Sequence, residues 1–314
     1  MSLSKLIVAG SNRFGGSAPL PPLLSVRSGI EPALLPAAVM NSTIIPDQLD
    51  MTRICPDPIP KRARDLFADM EALTARFSAL AAGIGCLSII DLARLKPLMD
   101  QDEEFRFLVS LLSSDEERRL AGFTYPKRRR EWLGGRLAAK RGLSRTQATE
   151  PASACWYRDY SLLPDASGRP SLHDYPAQEP IPAVSISHSR EYATALVVAT
   201  GPCGIDIQQK SAQLVTVQER FATEEELVLL DRVDDLRTRL GILWTAKEAV
   251  KKCLLADQPT FFGRISLTEV AYQSEGAIWK VGCRVTGRDR CTATVRIAEF
   301  DDYLIACTAG EPYA

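Results

Sequence analysis

The sequence predicts an α+β fold whose sheets are largely antiparallel. Apolar residues recur at three- and four-residue spacing over residues 61–82, which is typical of an amphipathic helix. Short strand patterns follow one another at the C-terminal end of the chain. The composition, with 46% apolar and 25% charged residues, is that of an ordinary globular protein. The length of 314 residues suits one large domain or two small ones.

The first predicted elements are helices with one strand between them. The helix at 61–82 is followed by a buried strand at 86–91, where the sequence is CLSIID. A second helical pattern covers 116–141 and is predicted to end at Leu143. Pro126 interrupts this pattern near its middle, because proline lacks an amide hydrogen and clashes with the preceding turn.

The rest of the chain is predicted as strands around two helices. Short strands are expected at 154–157, 184–187, 193–199 and 204–208. Helices are expected at 223–233 and 237–255, and four more strands at 265–272, 277–285, 291–300 and 303–308.

A break near residues 200–203 divides these elements into two halves of similar make-up. We expect residues 86–202 to form the first half and 203–314 the second. Residues 1–85 differ, because nine of the 20 prolines lie before residue 61. They are predicted to be a poorly structured extension with one amphipathic helix. Basic residues, frequent serines and the absence of acids before Glu31 also fit an organellar transit peptide.

Composition excludes several classes of protein. The 38 Lys+Arg nearly balance 39 Asp+Glu, so no global basic field for nucleic acid exists. The longest nearly apolar run, 77–90, is too short to span a membrane. Eight cysteines without a CxxC motif are expected to be reduced thiols of a cytoplasmic protein. Two histidines exclude a His-rich zinc site, and GSNRFGGS at 10–17 lacks the lysine of a phosphate-binding loop.

Two segments place carboxylates on predicted regular elements. In GIDIQ (204–208), Asp206 and Gln208 share one strand face and offer two oxygen donors roughly 7 Å apart. In WTAKEAVKK (244–252), Glu248 and Lys252 share one helix face, four residues apart. Each segment alone also fits a solvated surface, where an acidic residue or a Glu–Lys ladder is common.

Four further segments carry polar groups that suit phosphate or proton chemistry. RFATEEEL (220–227) places Glu226 three residues after Thr223, which also fits a capping box. SISHSREY (185–192) ends a strand in polar residues, and SGRP (167–170) presents Arg169, whose guanidinium suits phosphate. KRRREWLGGRLAAKRG (127–142) is a basic helix. Ordinary polar loops and a solvated or nucleic-acid-binding helix are the alternatives.

The order of these six segments closely resembles that of the Sfp-type 4′-phosphopantetheinyl transferases. Members of that family carry a G[KR]P turn, an SHS strand end, a G[IV]D[IV]E strand, an RFF-x-x-x-E segment and a WxxKEAxxK helix. The resemblance covers about residues 87–308. It implies two similar α+β halves packed as a pseudo-dimer, with coenzyme A in the cleft between them.

The resemblance also implies a metal-dependent reaction. The phosphopantetheine arm of coenzyme A would move to a serine of a carrier protein, and adenosine 3′,5′-bisphosphate would leave. Asp206 and Glu248 match the family's Mg²⁺ ligands. Gln208 stands where the family commonly has a glutamate, so it is expected to bind the metal weakly or through water. A non-catalytic module that binds coenzyme A or a carrier protein is the alternative.

The remaining site residues are also implied by the resemblance. Glu226 would accept the serine proton, and Lys252 would pair with the pyrophosphate and assist catalysis. Coenzyme A would be bound by a further set of residues: Lys127, Arg130, Arg136, Arg169, Ser187 and His188. The expected partner is an acyl or peptidyl carrier protein with an acidic helix. No nucleic-acid or membrane partner is expected, and the chain is predicted to be a monomer.

Overall fold

The computed structural model describes residues 59–146, 156–176, 180–257, 262–286 and 291–311 as a mixture of helices and strands. This confirms the prediction of a mixed helix-and-sheet fold. Of the extension predicted at residues 1–85, residues 1–58, with the predicted transit peptide, lie outside the described residues. Within the described ranges, no helix is long and apolar enough to cross a membrane.

The described helices and strands have the following bounds. The α-helices are α1 (Lys61–Ala75), α2 (Ser78–Ala81), α3 (Leu92–Met99), α4 (Asp102–Ser110), α5 (Ser114–Ala121), α6 (Pro126–Thr146), α7 (Ala212–Thr216), α8 (Glu224–Val228) and α9 (Leu236–Leu254). The strands are β1 (Cys86–Asp91), β2 (Ser161–Pro164), β3 (Pro170–His173), β4 (Ala183–Ser189), β5 (Tyr192–Val198), β6 (Cys203–Gln209), β7 (Ile265–Gln273), β8 (Ile278–Val285), β9 (Cys291–Phe300) and β10 (Tyr303–Ala309).

Two larger sheets and one hairpin make up the strand structure. The order β1-β5-β4 forms the first sheet and β6-β10-β9-β8-β7 the second, while β2 pairs with β3. Every described pair is antiparallel. Ser88 of β1 lies opposite Ala195 of β5, and Asp206 of β6 lies opposite Ala306 of β10. These registers place Ser88 and Asp206 at corresponding points of the two sheets.

The two larger sheets pack face to face. Leu87 and Ile89 of β1 share one buried apolar cluster with Ile205 of β6 and Ile305 of β10. The opposite face of the first sheet packs on α6, and the opposite face of the second packs on α9. Asp206 lies on the α9 face of its strand, because side chains alternate along a strand and Ile205 and Ile207 face the other sheet.

Both halves present the same order of elements. β1 leads through helices to α5, the long helix α6 and the strands β2 to β5. β6 leads through helices to α8, the long helix α9 and the strands β7 to β10. Helices α5 and α8 each begin with a capping box, in Ser113–Glu116 and Thr223–Glu226. The order of elements after β1 thus recurs after β6, although the sequence shows no recognisable repeat.

Helix α1 belongs to the core of the first half. Leu66, Phe67 and Met70 are buried in the cluster that lies between the first sheet and α6. Thr74 Oγ1 accepts a hydrogen bond from the amide of Ile89 in β1 at 3.1 Å. Residues 61–75, which lie outside the family resemblance, thus supply part of the packing on which the first sheet rests.

Several predicted elements differ from the structure. The pattern predicted over 116–141 is two helices, divided at Pro126 as predicted: α5 ends at Ala121, and Pro126 begins α6 because the first helical position needs no amide hydrogen. Helix α6 runs past Leu143 to Thr146. The strand predicted at 154–157 is wrong over its described part, since Trp156–Arg158 is a 3-10 helix. Helices α3 and α4 and strands β2 and β3 were not predicted.

The helix predicted at 223–233 is shorter, and its length has a local cause. Helix α8 ends at Val228. The guanidinium of Arg239 then donates to the carbonyl oxygens of Val233 and Asp231. The amides of Leu230, Asp231 and Val233 each bond to the carbonyl oxygen three residues back instead of four, so the segment continues as separate turns, whose last carbonyls Arg239 caps.

Candidate active site

Asp206 is a buried carboxylate on the edge strand β6. Its Oδ1 accepts hydrogen bonds from Ser187 Oγ and from Lys252 Nζ, each at 2.8 Å. Its Oδ2 is buried and makes no hydrogen bond within the part of the chain that the structure describes. A buried carboxylate oxygen is costly without a partner, so this atom marks a place where a cation would be stabilised.

Glu248 of α9 is the second buried carboxylate of the site. Burial raises the pKa of Glu248 above its ordinary value, the neighbouring Asp206 carboxylate adds to this, and Lys252 opposes it. Gly204 brings the two elements together, because a Cβ at this position would overlap the carbonyl oxygen of Ala249. The close approach of β6 and α9 therefore places two carboxylates side by side.

The donor set fits a divalent cation held by few protein ligands. Mg²⁺ usually takes one or two carboxylates and fills its other positions with phosphate oxygens and water. Among the described residues, no group of three or more His, Cys, Asp or Glu side chains is arranged to hold a metal. Gln208 is half-buried, and its Nε2 donates to the carbonyl oxygen of Gln209 at 2.9 Å. Its predicted role as a metal ligand stays a prediction.

Lys252 lies against the same carboxylate. Its Nζ donates to the carbonyl oxygen of Ile205 and to Asp206 Oδ1, both at 2.8 Å. The ammonium thus offsets part of the charge of Asp206 and satisfies an outward carbonyl of the edge strand. Its side chain is one-fifth exposed, with 21% accessible, so the ammonium also borders solvent. Its predicted contact with the pyrophosphate stays a prediction.

Alternate serines of β4 bind the edge of β6. Hydroxyl oxygens of β4 accept hydrogen bonds of 3.1 to 3.3 Å from backbone amides of β6, in the pairs Ser185 with Ile205, Ser187 with Ile207 and Ser189 with Gln209. Serines at every second position of β4 project from the same face of the strand. Every second amide of the edge strand β6 points away from its sheet, so the serine hydroxyls and the amides have the same two-residue spacing. The SISHS segment therefore joins the two sheets. The hydroxyl of Ser187, which was predicted to contact coenzyme A, accepts a hydrogen bond from Ile207 N and donates one to Asp206 Oδ1.

His188 faces the start of α6. Arg128 Nη1 lies 3.3 Å from His188 Nε2, and since arginine only donates, Nε2 is the acceptor. Nδ1 of His188 lies 3.7 Å from Glu131 Oε2. Burial lowers the pKa of His188 to about 3, with further lowering by Arg128, Lys252 and Lys127. Three cations thus lie near a neutral imidazole, and one of them, Lys252, also binds Asp206.

Glu131 lies within the basic segment and was not predicted to matter. It is buried, and its carboxylate lies 3.8 Å from Lys127 Nζ and 3.6 Å from Arg128 Nη1. Lys127 and Arg128 are exposed. The carboxylate thus holds two exposed cations near His188.

The other residues predicted to contact coenzyme A lie on helix α6 and in the turn before β3. Arg130 is half-buried. Arg136 is buried with its guanidinium 4.7 Å from the ring centre of Trp132, and burial lowers its pKa to about 10. Arg169 is half-buried in the turn at Gly168, whose φ of +85° suits glycine. The positive charge of Arg169 acts on Cys203 and Cys253, so it lies near the start of β6 and the end of α9.

Glu226 of α8 is buried and has a separate set of hydrogen-bond partners. Its carboxylate accepts from Thr223 N at 3.1 Å, from Leu267 N at 2.9 Å and from Lys247 Nζ at 2.7 and 2.8 Å. This is the capping box that the sequence offered as the alternative to a proton acceptor. Lys247 is buried as well and was not singled out from the sequence, although it directly precedes Glu248.

The second half of the chain matches a known protein family. The family model described as the 4′-phosphopantetheinyl transferase superfamily matches residues 202–308. A holo-[acyl-carrier-protein] synthase of Geobacillus sp. (strain WCH70) is 34% identical over 116 residues, which is 37% of this chain and 93% of that protein. The protein of the same name from Staphylococcus epidermidis is 32% identical over 116 residues, with the same shares covered.

One solved structure is also similar in sequence. It is the 2.31 Å crystal structure of a holo-(acyl-carrier-protein) synthase from Bacillus anthracis in complex with CoA (3′,5′-ADP). It is 30% identical and covers 36% of this chain and 90% of that chain, with a TM-score of 0.30.

Proposed function

This chain belongs to the 4′-phosphopantetheinyl transferase superfamily of enzymes, and on that basis we propose that it acts on an acyl or peptidyl carrier protein. It would transfer the 4′-phosphopantetheine arm of coenzyme A to a carrier serine. The serine hydroxyl releases its proton to water as its oxygen forms the new P–O bond, the pyrophosphate bond breaks, and adenosine 3′,5′-bisphosphate leaves. The relatives from Geobacillus and Staphylococcus epidermidis are named holo-[acyl-carrier-protein] synthases, which supports a carrier protein as acceptor.

The observation that carries the proposal is the paired carboxylates of Asp206 and Glu248. Both are buried, and Asp206 Oδ2 makes no hydrogen bond among the described residues. We propose that these two side chains hold Mg²⁺, with Gln208 at the margin of the site. When bound, the cation supplies positive charge that a pyrophosphate needs while its bond breaks.

The chain's own residues then have separate tasks. Ser187 and Lys252 bind Asp206 Oδ1, which leaves the buried Oδ2 for the cation. The phosphates of coenzyme A would be received by the cluster at the start of α6 and the end of β4, which consists of Lys127, Arg128 and His188. Because the Lys252 ammonium borders solvent, a phosphate can approach it without displacing Asp206.

We propose that the two halves form a pseudo-dimer within one chain. The repeated order of elements, the facing sheets and the corresponding capping boxes support this arrangement. The boundary proposed between the halves, at residues 202 and 203, falls directly before β6. Since one chain supplies both halves of the cleft, we propose that it acts as a monomer in the cytoplasm.

Intact-protein mass spectrometry of an apo carrier protein tests the proposal. Incubation with this protein, coenzyme A and Mg²⁺ should add about 340 Da to the carrier, and a chelator should prevent the gain. Acyl and peptidyl carriers are assayed side by side. Coenzyme A binding without any mass gain on either carrier would instead identify a non-catalytic binding module, and Gln208→Glu would be the first variant to examine.

A further inference from the structure

The Glu226–Lys247 ion pair uses the full acceptor capacity of the Glu226 carboxylate. Oε1 accepts from Leu267 N and Lys247 Nζ, and Oε2 accepts from Thr223 N and Lys247 Nζ. A carboxylate offers about four acceptor positions, and these four contacts occupy them. Both side chains are almost fully buried, with 3% and 2% exposed. Glu226 therefore has no lone pair directed at a substrate hydroxyl.

The first half contains the same arrangement. Glu116 Oε2 lies 2.8 Å from Lys140 Nζ and accepts from Ser113 N at 2.9 Å. Glu116 Oε1 accepts from Leu162 N at 3.1 Å. Leu162 lies on β2, the first strand after α6, just as Leu267 lies on β7, the first strand after α9. Each lysine also donates to backbone carbonyls, Lys140 to Tyr160 O at 3.2 Å and Lys247 to Phe221 O at 2.6 Å.

At the two positions that correspond to Asp206 and Glu248, the first half has no carboxylate. The register of the two sheets places Ser88 where the second half has Asp206. Arg141 directly follows Lys140, as Glu248 directly follows Lys247, and it forms an ion pair with Glu71 of α1. A network that recurs where the metal-binding carboxylates are absent has a role in packing that both halves need.

We propose that Glu226 and Lys247 are positioning residues, which lock α9 against α8 and β7 and thereby hold Glu248 opposite Asp206. In this proposal Glu226 does not accept the proton of the carrier serine. The pair fixes the rotation of α9 one residue before Glu248, so a small shift of Lys247 moves the neighbouring carboxylate. The part that concerns Glu248 rests on the proposed metal-dependent function.

The variant Glu226→Gln, with Glu116→Gln as its matched control, tests this proposal. Each substitution leaves a buried lysine without its counter-charge, so both should lower the Tm by about 5–10 °C. In a Mn²⁺ titration followed by EPR with coenzyme A present, Glu226→Gln should weaken Mn²⁺ binding about tenfold, because outer contacts orient metal ligands. Glu116→Gln should leave Mn²⁺ binding within about twofold, since its partners Ser113, Lys140 and Leu162 all lie in the first half.

A double variant separates positioning from proton transfer. Glu226→Gln combined with Lys247→Met removes the uncompensated ammonium, so it should recover roughly half of the lost Tm and part of the Mn²⁺ affinity. Removal of a general base gives a different result. Transfer would then fall by about 10²-fold or more in both the single and the double variant, with Tm and Mn²⁺ binding unchanged.

A loss of transfer in both variants with Tm and Mn²⁺ binding unchanged would overturn the positioning role. Absence of transfer by the wild-type protein would overturn the proposed function alone. In that case the paired Tm shifts and the Mn²⁺ titration still decide whether Glu226 and Lys247 position α9.

Discussion

The two halves of the chain share a scaffold but differ at the points where chemistry would occur. Both contain a leading strand, a capped short helix, a long helix and a buried Glu–Lys pair. In the second half, Asp206 and Glu248 face one another across β6 and α9. In the first half, Ser88 and Arg141 stand at the corresponding points. The comparison teaches that packing is duplicated whereas the carboxylate pair is confined to one half.

The largest expected effect comes from Asp206→Ala with Ser88→Ala as its counterpart. Loss of Asp206 removes a proposed metal ligand and should lower transfer by at least about 10³-fold. The Ser88 hydroxyl is buried without a hydrogen bond among the described residues, so Ser88→Ala should leave transfer intact and keep stability within about 1 kcal/mol of the wild type. Carrier mass gain and thermal unfolding measure the two effects. Equal losses of transfer in both variants would remove the distinction between the halves.

A second prediction concerns α1, for which the second half has no counterpart in the described residues. Met70 is 1% exposed within the first-half core, whereas Ala68 lies on the exposed side of the same helix. Met70→Asp should cost about 4 kcal/mol or more, because it removes buried apolar surface and buries a charge. Ala68→Asp should change stability by less than about 0.5 kcal/mol. Chemical unfolding compares them, and similar midpoints would show that α1 contributes little.

Local spacing in the sequence predicted which side chains share a face, namely Asp206 with Gln208 on a strand and Glu248 with Lys252 on a helix. The pairing of Asp206 with Glu248 and Lys252 came from the family resemblance, because these residues lie on separate elements, and the structure brings the three together. The capping alternative for Glu226 was equally local, and the structure contains it. Contacts between distant segments could not be predicted in this way.

The serine contacts of β4 show why the remainder was missed. Ser185 and Ser189 accept hydrogen bonds from amides of β6 that lie about twenty residues further along the chain. These bonds form only when the two sheets pack together. Lys247 looks like an ordinary helical lysine until Glu226 is placed beside it. The short strands β2 and β3 have four residues each, too few for a clear alternation.

A third prediction uses two glycines at which a strand meets a long helix. A Cβ at Gly204 would overlap the backbone oxygen of Ala249, which cannot rotate away. A Cβ at Gly142 would meet a methyl group of Val197 at 2.7 Å, and a side chain can move. Gly204→Ala should therefore cost about 3 kcal/mol and weaken transfer, while Gly142→Ala should cost about 1 kcal/mol and leave transfer largely unchanged. Equal unfolding midpoints for the two variants would contradict this difference in backbone contact.

The smallest expected effect tests how the first half contributes to the site through His188. Its pKa is lowered to about 3, chiefly by burial, so the folded protein leaves it neutral at a pH where the unfolded chain binds a proton. His188 should contribute nothing to the pH dependence of stability above about pH 6.5, and stability should fall as the pH drops from there toward 3. Because 25% of the side chain is exposed, we expect a loss of about 1 kcal/mol at pH 5.

Relative to the wild type, His188→Gln should be more stable at pH 5 than at pH 8, whereas the exposed His173 offers a control variant, His173→Gln, without this change. Urea unfolding at both pH values measures the difference, and identical pH dependence in the two variants would show that the imidazole is not held neutral beside Arg128.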